Sequence, residues 1–251
     1  MRKNSFLFVV MLSTALSLGF ASCDNDNEPK NPKKKYEYVD LGLSVKWATC
    51  NIGASSPEEY GSYFAWGEVE PKDYYEFDNY KWFIYQKDVS MTITKYNYLP
   101  YMGSVDNKMI LDLEDDAATV NMGKAWRMPT IDEITELVQG CSWEFTELYN
   151  GKFVRGWIGT SKVNNKSIFF PLAGLKGPEG DSYRATCGFY WCSSKAIGNN
   201  GISSYCLLLN DKEINGGDNS IDPEKDPAWY GNDYYATNTC TLGQSIRGVR
   251  K

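Results

Sequence analysis

Gly123-Lys124-Ala125-Trp126-Arg127-Met128-Pro129-Thr130-Ile131-Asp132-Glu133-Ile134-Thr135-Glu136-Leu137-Val138-Gln139-Gly140 is the stretch whose reading decides the fold. Thr130 and Glu133 have the spacing of a capping box, in which each side chain satisfies the other residue's free backbone N–H. Ile131, Ile134, Leu137 and Val138 fall on one helical face, so the spacing predicts an amphipathic helix, buried along that stripe and ending before Gly140. Upstream, residues 113–122 predict a second helix, with Glu114, Asp115 and Asp116 in its first turn, where the helix dipole favours acids. These carboxylates read as capping and solvated groups. Downstream the pattern changes to short strands at 152–156, 167–171, 188–194, 203–209 and 245–250, with Asn164-Asn165 and Asn199-Asn200-Gly201 as turns. Two more strands, 36–39 and 45–49, flank the Gly42 turn, and the aromatic-rich stretch 57–101 predicts long irregular loops pinned by aromatic side chains. Two helices followed by an antiparallel sheet give an α+β class.

The chain begins with basic Arg2 and Lys3, continues through an apolar run from Phe6 to Phe20, and reaches Phe20-Ala21-Ser22-Cys23. That is a secretory signal layout. The apolar run falls short of the roughly 20 residues that a bilayer span needs, and no second run follows. The small pair before Cys23 resembles a lipobox, which predicts cleavage after Ser22 and acylation of Cys23, an anchor that holds when more than one acyl chain is attached. Residues 24–35 are polar and proline-interrupted, the composition of a disordered tether. Residues 36–251 then form a single domain, large enough to bury a core.

Removing residues 1–22 leaves 24 of the 26 basic residues against 32 acidic ones, a mature charge near −8. Scattered basic residues in an acidic chain argue against nucleic acid as a partner. The chain has no histidine, which removes Ser-His and Cys-His nucleophile activation and the commonest zinc ligand. Beside Cys23 there are six cysteines. Cys192 and Cys206 are equidistant from Asn199, so a hairpin turning at 198–201 sets them opposite each other, as a disulfide or as two thiols side by side. Asp218, Asp222 and Asp226 offer oxygen ligands in an Asn- and Gly-rich loop, but a solvated loop is the plainer reading, and no metal or cofactor is expected.

Four separated blocks carry a resemblance. Glu114 to Ala118 with Gly123 to Glu133 is similar to the helix, Arg-Leu-Pro-Thr and helix segment of formylglycine-generating-enzyme-like domains. Tyr38 to Ala48, Gly188 to Ser194 and Ser245 to Arg250 resemble a narrower group, the Bacteroidetes lipoproteins of the Fibrobacter succinogenes major paralogous domain type. The resemblance runs in order from about residue 38 to 250. It implies a C-type-lectin-like fold, with a small twisted antiparallel sheet, two helices and long binding loops. The enzymes of the group use a cysteine pair with four residues between, the spacing of Cys187 and Cys192, but here the second lies in a different strand motif. The Glu-Pro-Asn and Trp-Asn-Asp signatures of calcium-dependent lectins are absent.

Tyr and Trp give rigid contact area and Asn gives adaptable hydrogen bonds, the mixture that binding loops use. Trp229, Tyr230, Asn232, Tyr234 and Tyr235, with Tyr205 and Asn210, are therefore the candidate ligand-binding residues, whereas Trp191 reads as core. The expectation is a lipid-anchored outer-membrane protein, non-catalytic, that binds glycan or protein, and whose variable loops would suit a receptor diversified by a retroelement. The alternative is a structural subunit of a surface layer or appendage.

Overall fold

A computed structural model describes residues 36–86, 90–198, 201–211 and 236–251. Cys23, the tether at 24–35, the three acids Asp218, Asp222 and Asp226, and the aromatic cluster from Trp229 to Tyr235 lie outside these residues. The described residues belong to one compact unit, 34–251. Among them no helix is long and apolar enough to cross a membrane.

The elements in chain order are β1 (Tyr38–Val39), β2 (Lys46–Ala48), β3 (Phe83–Gln86), β4 (Ser90–Ile93), α1 (Ala117–Met122), α2 (Ile131–Gly140), β5 (Cys141–Tyr149), β6 (Lys152–Ser161) and β7 (Ser167–Pro171). They continue with β8 (Leu175–Gly177), β9 (Gly180–Ser182), β10 (Cys187–Lys195), β11 (Ser203–Asn210), β12 (Ala236–Thr239) and β13 (Val249–Arg250). The strands form five small sheets, ordered β1-β2-β13, β3-β4, β5-β6-β7, β8-β9 and β10-β11-β12, and every strand pair is antiparallel. The fold is thus α+β with two helices.

Helix α2 starts where the capping box places it. Thr130 Oγ1 accepts from the Glu133 N–H at 3.3 Å and Glu133 accepts from the Thr130 N–H at 2.9 Å. Ile134, Leu137 and Val138 are its buried stripe. The helix runs through Gly140 and passes straight into β5. Helix α1 is shorter than expected, because the Asp116 carboxylate caps it by accepting from the Thr119 N–H at 2.9 Å. The residues before it are held elsewhere. Asp116 is the cap, in keeping with its reading as a capping group, whereas Asp115 is buried against Lys95 and Lys81, which corrects its reading as a capping or solvated group. Burial pushes the Asp116 carboxyl up, although its backbone hydrogen bonds oppose the shift.

The hydrophobic core has two parts, divided by the β10-β11 ribbon. Strand alternation sends Trp191 and Cys206 to one side, with Phe64, Trp66, Tyr96 and Met128. Tyr190, Cys192, Leu207 and Leu209 go to the other, against α2, Trp47 and Phe170. The long segment before α1 includes the β3-β4 hairpin, which the sequence reading did not anticipate. Its remaining loops are fixed by aromatic hydrogen bonds to backbone carbonyls: Trp66 Nε1 to Cys192 at 2.8 Å, Trp191 Nε1 to Phe64 at 2.9 Å and Tyr80 to Trp66 at 2.6 Å. Of the expected strand at 245–250 only β13 forms. It pairs with β2 beside β1, so the two ends of the described domain meet in one sheet. Arg247 points inward, donates to Asn51 Oδ1 at 2.8 Å and to the Ala48 and Thr49 carbonyls, and lies 4.5 Å from the Phe170 ring centre.

The β10-β11 register pairs Trp191 with Cys206 and Lys195 with Ser204, with a bulge between. The register that would face Cys192 with Cys206 falls midway between these two and does not occur. All six described cysteines are free thiols, so the disulfide alternative for Cys192 and Cys206 is not formed. Burial pushes the Cys192 thiol up to about 12, and the Cys206 thiol further.

Candidate functional site

The described members of the candidate binding set do not converge. Tyr205 and Asn210 stand five positions apart on β11, so their side chains leave opposite faces of the strand. Tyr205 packs against the core part that contains α2, and the Asn210 carbonyl accepts from Trp157 Nε1 at 2.8 Å. Trp191 is fully buried, as its reading as core requires. Cys187 and Cys192 are likewise five positions apart on β10, about 16 Å along an extended strand. That is far beyond the 7 Å or so that a disulfide can span, so they are no redox pair.

A different surface brings binding groups together. Tyr60 and Tyr63, from the loop after β2, meet Lys176 of β8, Asp181 of β9 and the Tyr183-Arg184 step that follows β9. The Arg184 guanidinium lies 5.5 Å from the ring centres of both Tyr60 and Tyr63. Its Nε donates to the Tyr63 hydroxyl at 3.2 Å, and that hydroxyl donates to the Ala173 carbonyl at 2.5 Å. Lys176 Nζ stands 5.5 Å from the Tyr63 ring centre. Asp181 lies between the cations, 2.9 Å from Arg184 and 3.9 Å from Lys176. Burial pushes the Tyr63 hydroxyl up, with Arg184 opposing. Burial also acts against the Arg184 charge, but the hydrogen bond to Tyr63 together with electrostatic attraction to Tyr63 and Asp181 outweighs it, and the guanidinium is held above its usual range.

The backbone presenting this shelf is strained and fixed. Tyr183 and Ala185 both have φ of 60°, a left-handed conformation that costs an L-residue roughly 1–2 kcal/mol. Neither is Gly or Asn. Surrounding bonds impose the geometry: the Ala185 N–H donates to Leu172 at 2.8 Å, the Cys187 N–H to Tyr183 at 2.9 Å, and Arg155 Nη1 to the Ala185 carbonyl at 2.6 Å. Gly174 is required beneath, because a Cβ there would meet the Ser182 carbonyl oxygen at 2.3 Å and the Arg184 nitrogen at 2.7 Å. Tyr183 is thereby held outward with 60% of its surface exposed, edge-on to Phe189 at 6.1 Å. Strain that the surroundings over-determine is the pattern of a binding or switching site.

This shelf combines exposed aromatic surface, two cations and one carboxylate. Ring faces suit the C–H faces of sugars, and the charged groups suit hydroxyl and carboxylate oxygens. It is not legible in the sequence, since it joins Tyr60 and Tyr63 to the distant 176–184 hairpin.

One cluster has the donor set of a metal site among the described residues: Asp112, Glu114 and Asp115. Lysines already occupy it. Lys95 Nζ lies 2.6 Å from Asp112 and 2.6 Å from Asp115, and Lys81 lies 3.0 Å from Asp115. Burial opposes the Lys95 charge, but the bonds to Asp112 and Asp115 win and hold it above the usual lysine range. The arrangement is an ion network centred on the buried Asp115 rather than an open carboxylate cage.

No family model, no curated protein and no solved structure matches the chain.

Proposed function

We propose that this chain is an exported lipoprotein anchored through Cys23, and that its 36–251 domain, of C-type-lectin-like type, is a non-catalytic module binding glycan through the shelf of Tyr60, Lys176, Asp181, Tyr183 and Arg184. The observation that carries the binding reading is the strained backbone at Tyr183 and Ala185, which surrounding hydrogen bonds hold so that Tyr183 and Arg184 are presented outward. The lectin-like assignment draws support from the first and last strands sharing one sheet on either side of β2, the two helices, the small antiparallel sheets and the long pinned loops. The anchor rests on Ala21-Ser22-Cys23 and places the domain outside the cytoplasm, on the outer membrane.

Glycan arrays probed with the mature chain and with Tyr183→Ala and Arg184→Ala variants test this. The expected result is a restricted set of bound glycans that both variants lose while unfolding at the wild-type temperature. Binding unchanged in both variants, or no glycan bound, would refute it. A second reading, a structural subunit of a surface assembly, is favoured by one feature: Phe153 and Leu148 flank the β5-β6 turn with 93% and 51% of their surfaces exposed. Concentration-dependent assembly in sedimentation, abolished by Phe153→Ser, would support that reading instead.

A further inference from the structure

Lys195 ends β10 with its side chain turned inward, only 4% exposed. Buried lysines normally meet a carboxylate, yet among the described residues Lys195 forms no ion pair. Its Nζ instead lies 3.2 Å from the Sγ of Cys240 and 5.1 Å from the Trp66 ring centre. Ser204 Oγ lies 3.1 Å from the same sulfur, and both Ser204 and Cys240 are fully buried. The backbones on either side are tied down: the Lys195 N–H donates to Met109 at 2.8 Å, and the Cys240 N–H to Ile202 at 2.8 Å. The nitrogen and sulfur are thus held in contact by the fold. An apolar side chain would fill the position without the cost of burying a charge.

We propose that Lys195 and Cys240 form an oxidation-dependent covalent link, a sulfenamide between Nζ and Sγ. Hydrogen peroxide or an organic hydroperoxide is the oxidant. The Cys240 sulfur attacks the peroxide, the O–O bond breaks, and the products are a sulfenic acid and water, or an alcohol from an organic hydroperoxide; sulfur supplies the two electrons. The Lys195 nitrogen, after giving one proton to solvent, attacks Sγ. The S–N bond forms, the S–O bond breaks, and the departing hydroxide takes a second proton from nitrogen to leave as water. A sulfenic acid condenses with a backbone nitrogen in this way, and here the more nucleophilic Lys195 amine takes that nitrogen's place. The amine must compete with further oxidation of the sulfur, and a contact of 3.2 Å gives it that advantage. The link ties the end of β10 to the residue after β12, so that β11 and β12 lie within one covalently closed loop of the chain. It does not depend on the glycan-binding reading.

The test uses the mature chain treated with hydrogen peroxide, then denatured, alkylated without reductant and digested with trypsin. The expected result is a mass lower by two hydrogens, one thiol fewer alkylated, loss of cleavage after Lys195, and a peptide pair joining Lys195 to Cys240 that dithiothreitol separates. The linked chain should also unfold at a higher temperature than the same sample after dithiothreitol. Full alkylation of Cys240, its recovery as sulfinic or sulfonic acid with Lys195 still cleavable, or a two-hydrogen loss that maps to a disulfide would each overturn the proposal. Lys195→Met and Cys240→Ser should abolish the linked peptide. The peptide map of the unaltered chain decides the matter even where those variants fold poorly.

Discussion

Replacing Asp115 with Asn removes the one buried charge at the centre of the ion network while keeping the side-chain volume. Asp115 is 2% exposed and accepts from three donors, Lys95 at 2.6 Å, Tyr96 at 2.7 Å and Lys81 at 3.0 Å. Breaking a buried ion pair from one side costs about 3–5 kcal/mol, because the stranded charge loses its compensation. Two features place the loss at the low end: Lys81 is half exposed and can return to water, and Lys95 keeps Asp112. We expect about 3 kcal/mol, which for a domain of this size lowers the melting temperature by about 6–12 °C. Urea unfolding followed by tryptophan fluorescence measures it. The pH dependence adds a second check. Burial raises the Asp115 carboxyl, but Lys95, Tyr96 and Lys81 outweigh it and hold it below its ordinary value of 3.8. A carboxyl depressed in the folded state contributes stability above its unfolded value, and that stability disappears as the pH falls through the folded value. The gap between wild type and variant should therefore be full at neutral pH and shrink below about pH 4. A loss under about 1 kcal/mol, the worth of a surface pair, or a gap independent of pH, would refute the reasoning.

Three other outcomes are expected, two from the structure and one from the sequence around Cys23. Thr130→Ala removes half of the α2 capping box and should cost about 1 kcal/mol in urea unfolding, whereas Thr130→Ser should be nearly neutral. Ala185→Gly relieves a left-handed φ, and after the entropy cost of glycine the protein should gain about 0.5–1 kcal/mol; a loss of similar size would show that the backbone there is not strained. Cys23→Ser should abolish incorporation of radiolabelled palmitate and release the protein from the membrane fraction, and labelling that persists would dismiss the anchor.

What the sequence made legible is local. The Thr130 and Glu133 pair announced α2 because a capping box is written in two residues and a stripe in four. The strand at 167–171 matches β7 residue for residue, and the Asn164-Asn165 turn marks its start. Strand β5 escaped although Cys141, Trp143 and Phe145 alternate with polar residues. It leaves α2 without a turn, and a register shift between Thr146 and Leu148 breaks the alternation. Helix α1 was drawn too long because Asp115 and Asp116 look alike in sequence. Only the fold assigns one to the lysines and the other to the cap. The Cys192–Cys206 pairing failed on the bulge between Trp191 and Lys195, which symmetry about Asn199 cannot reveal. The shelf was illegible for a different reason: Tyr183 and Ala185 give no hint of a left-handed backbone, and their partners come from segments far apart in the chain.

The central claim is that Tyr183 and Arg184 form a ligand-binding surface. Calorimetric titration of the strongest array glycan into the mature chain and into Arg184→Ala addresses it most directly. A weakening of at least about tenfold, equal to about 1.4 kcal/mol, with an unchanged unfolding temperature, is the predicted result. Equal affinities for the two proteins would contradict it.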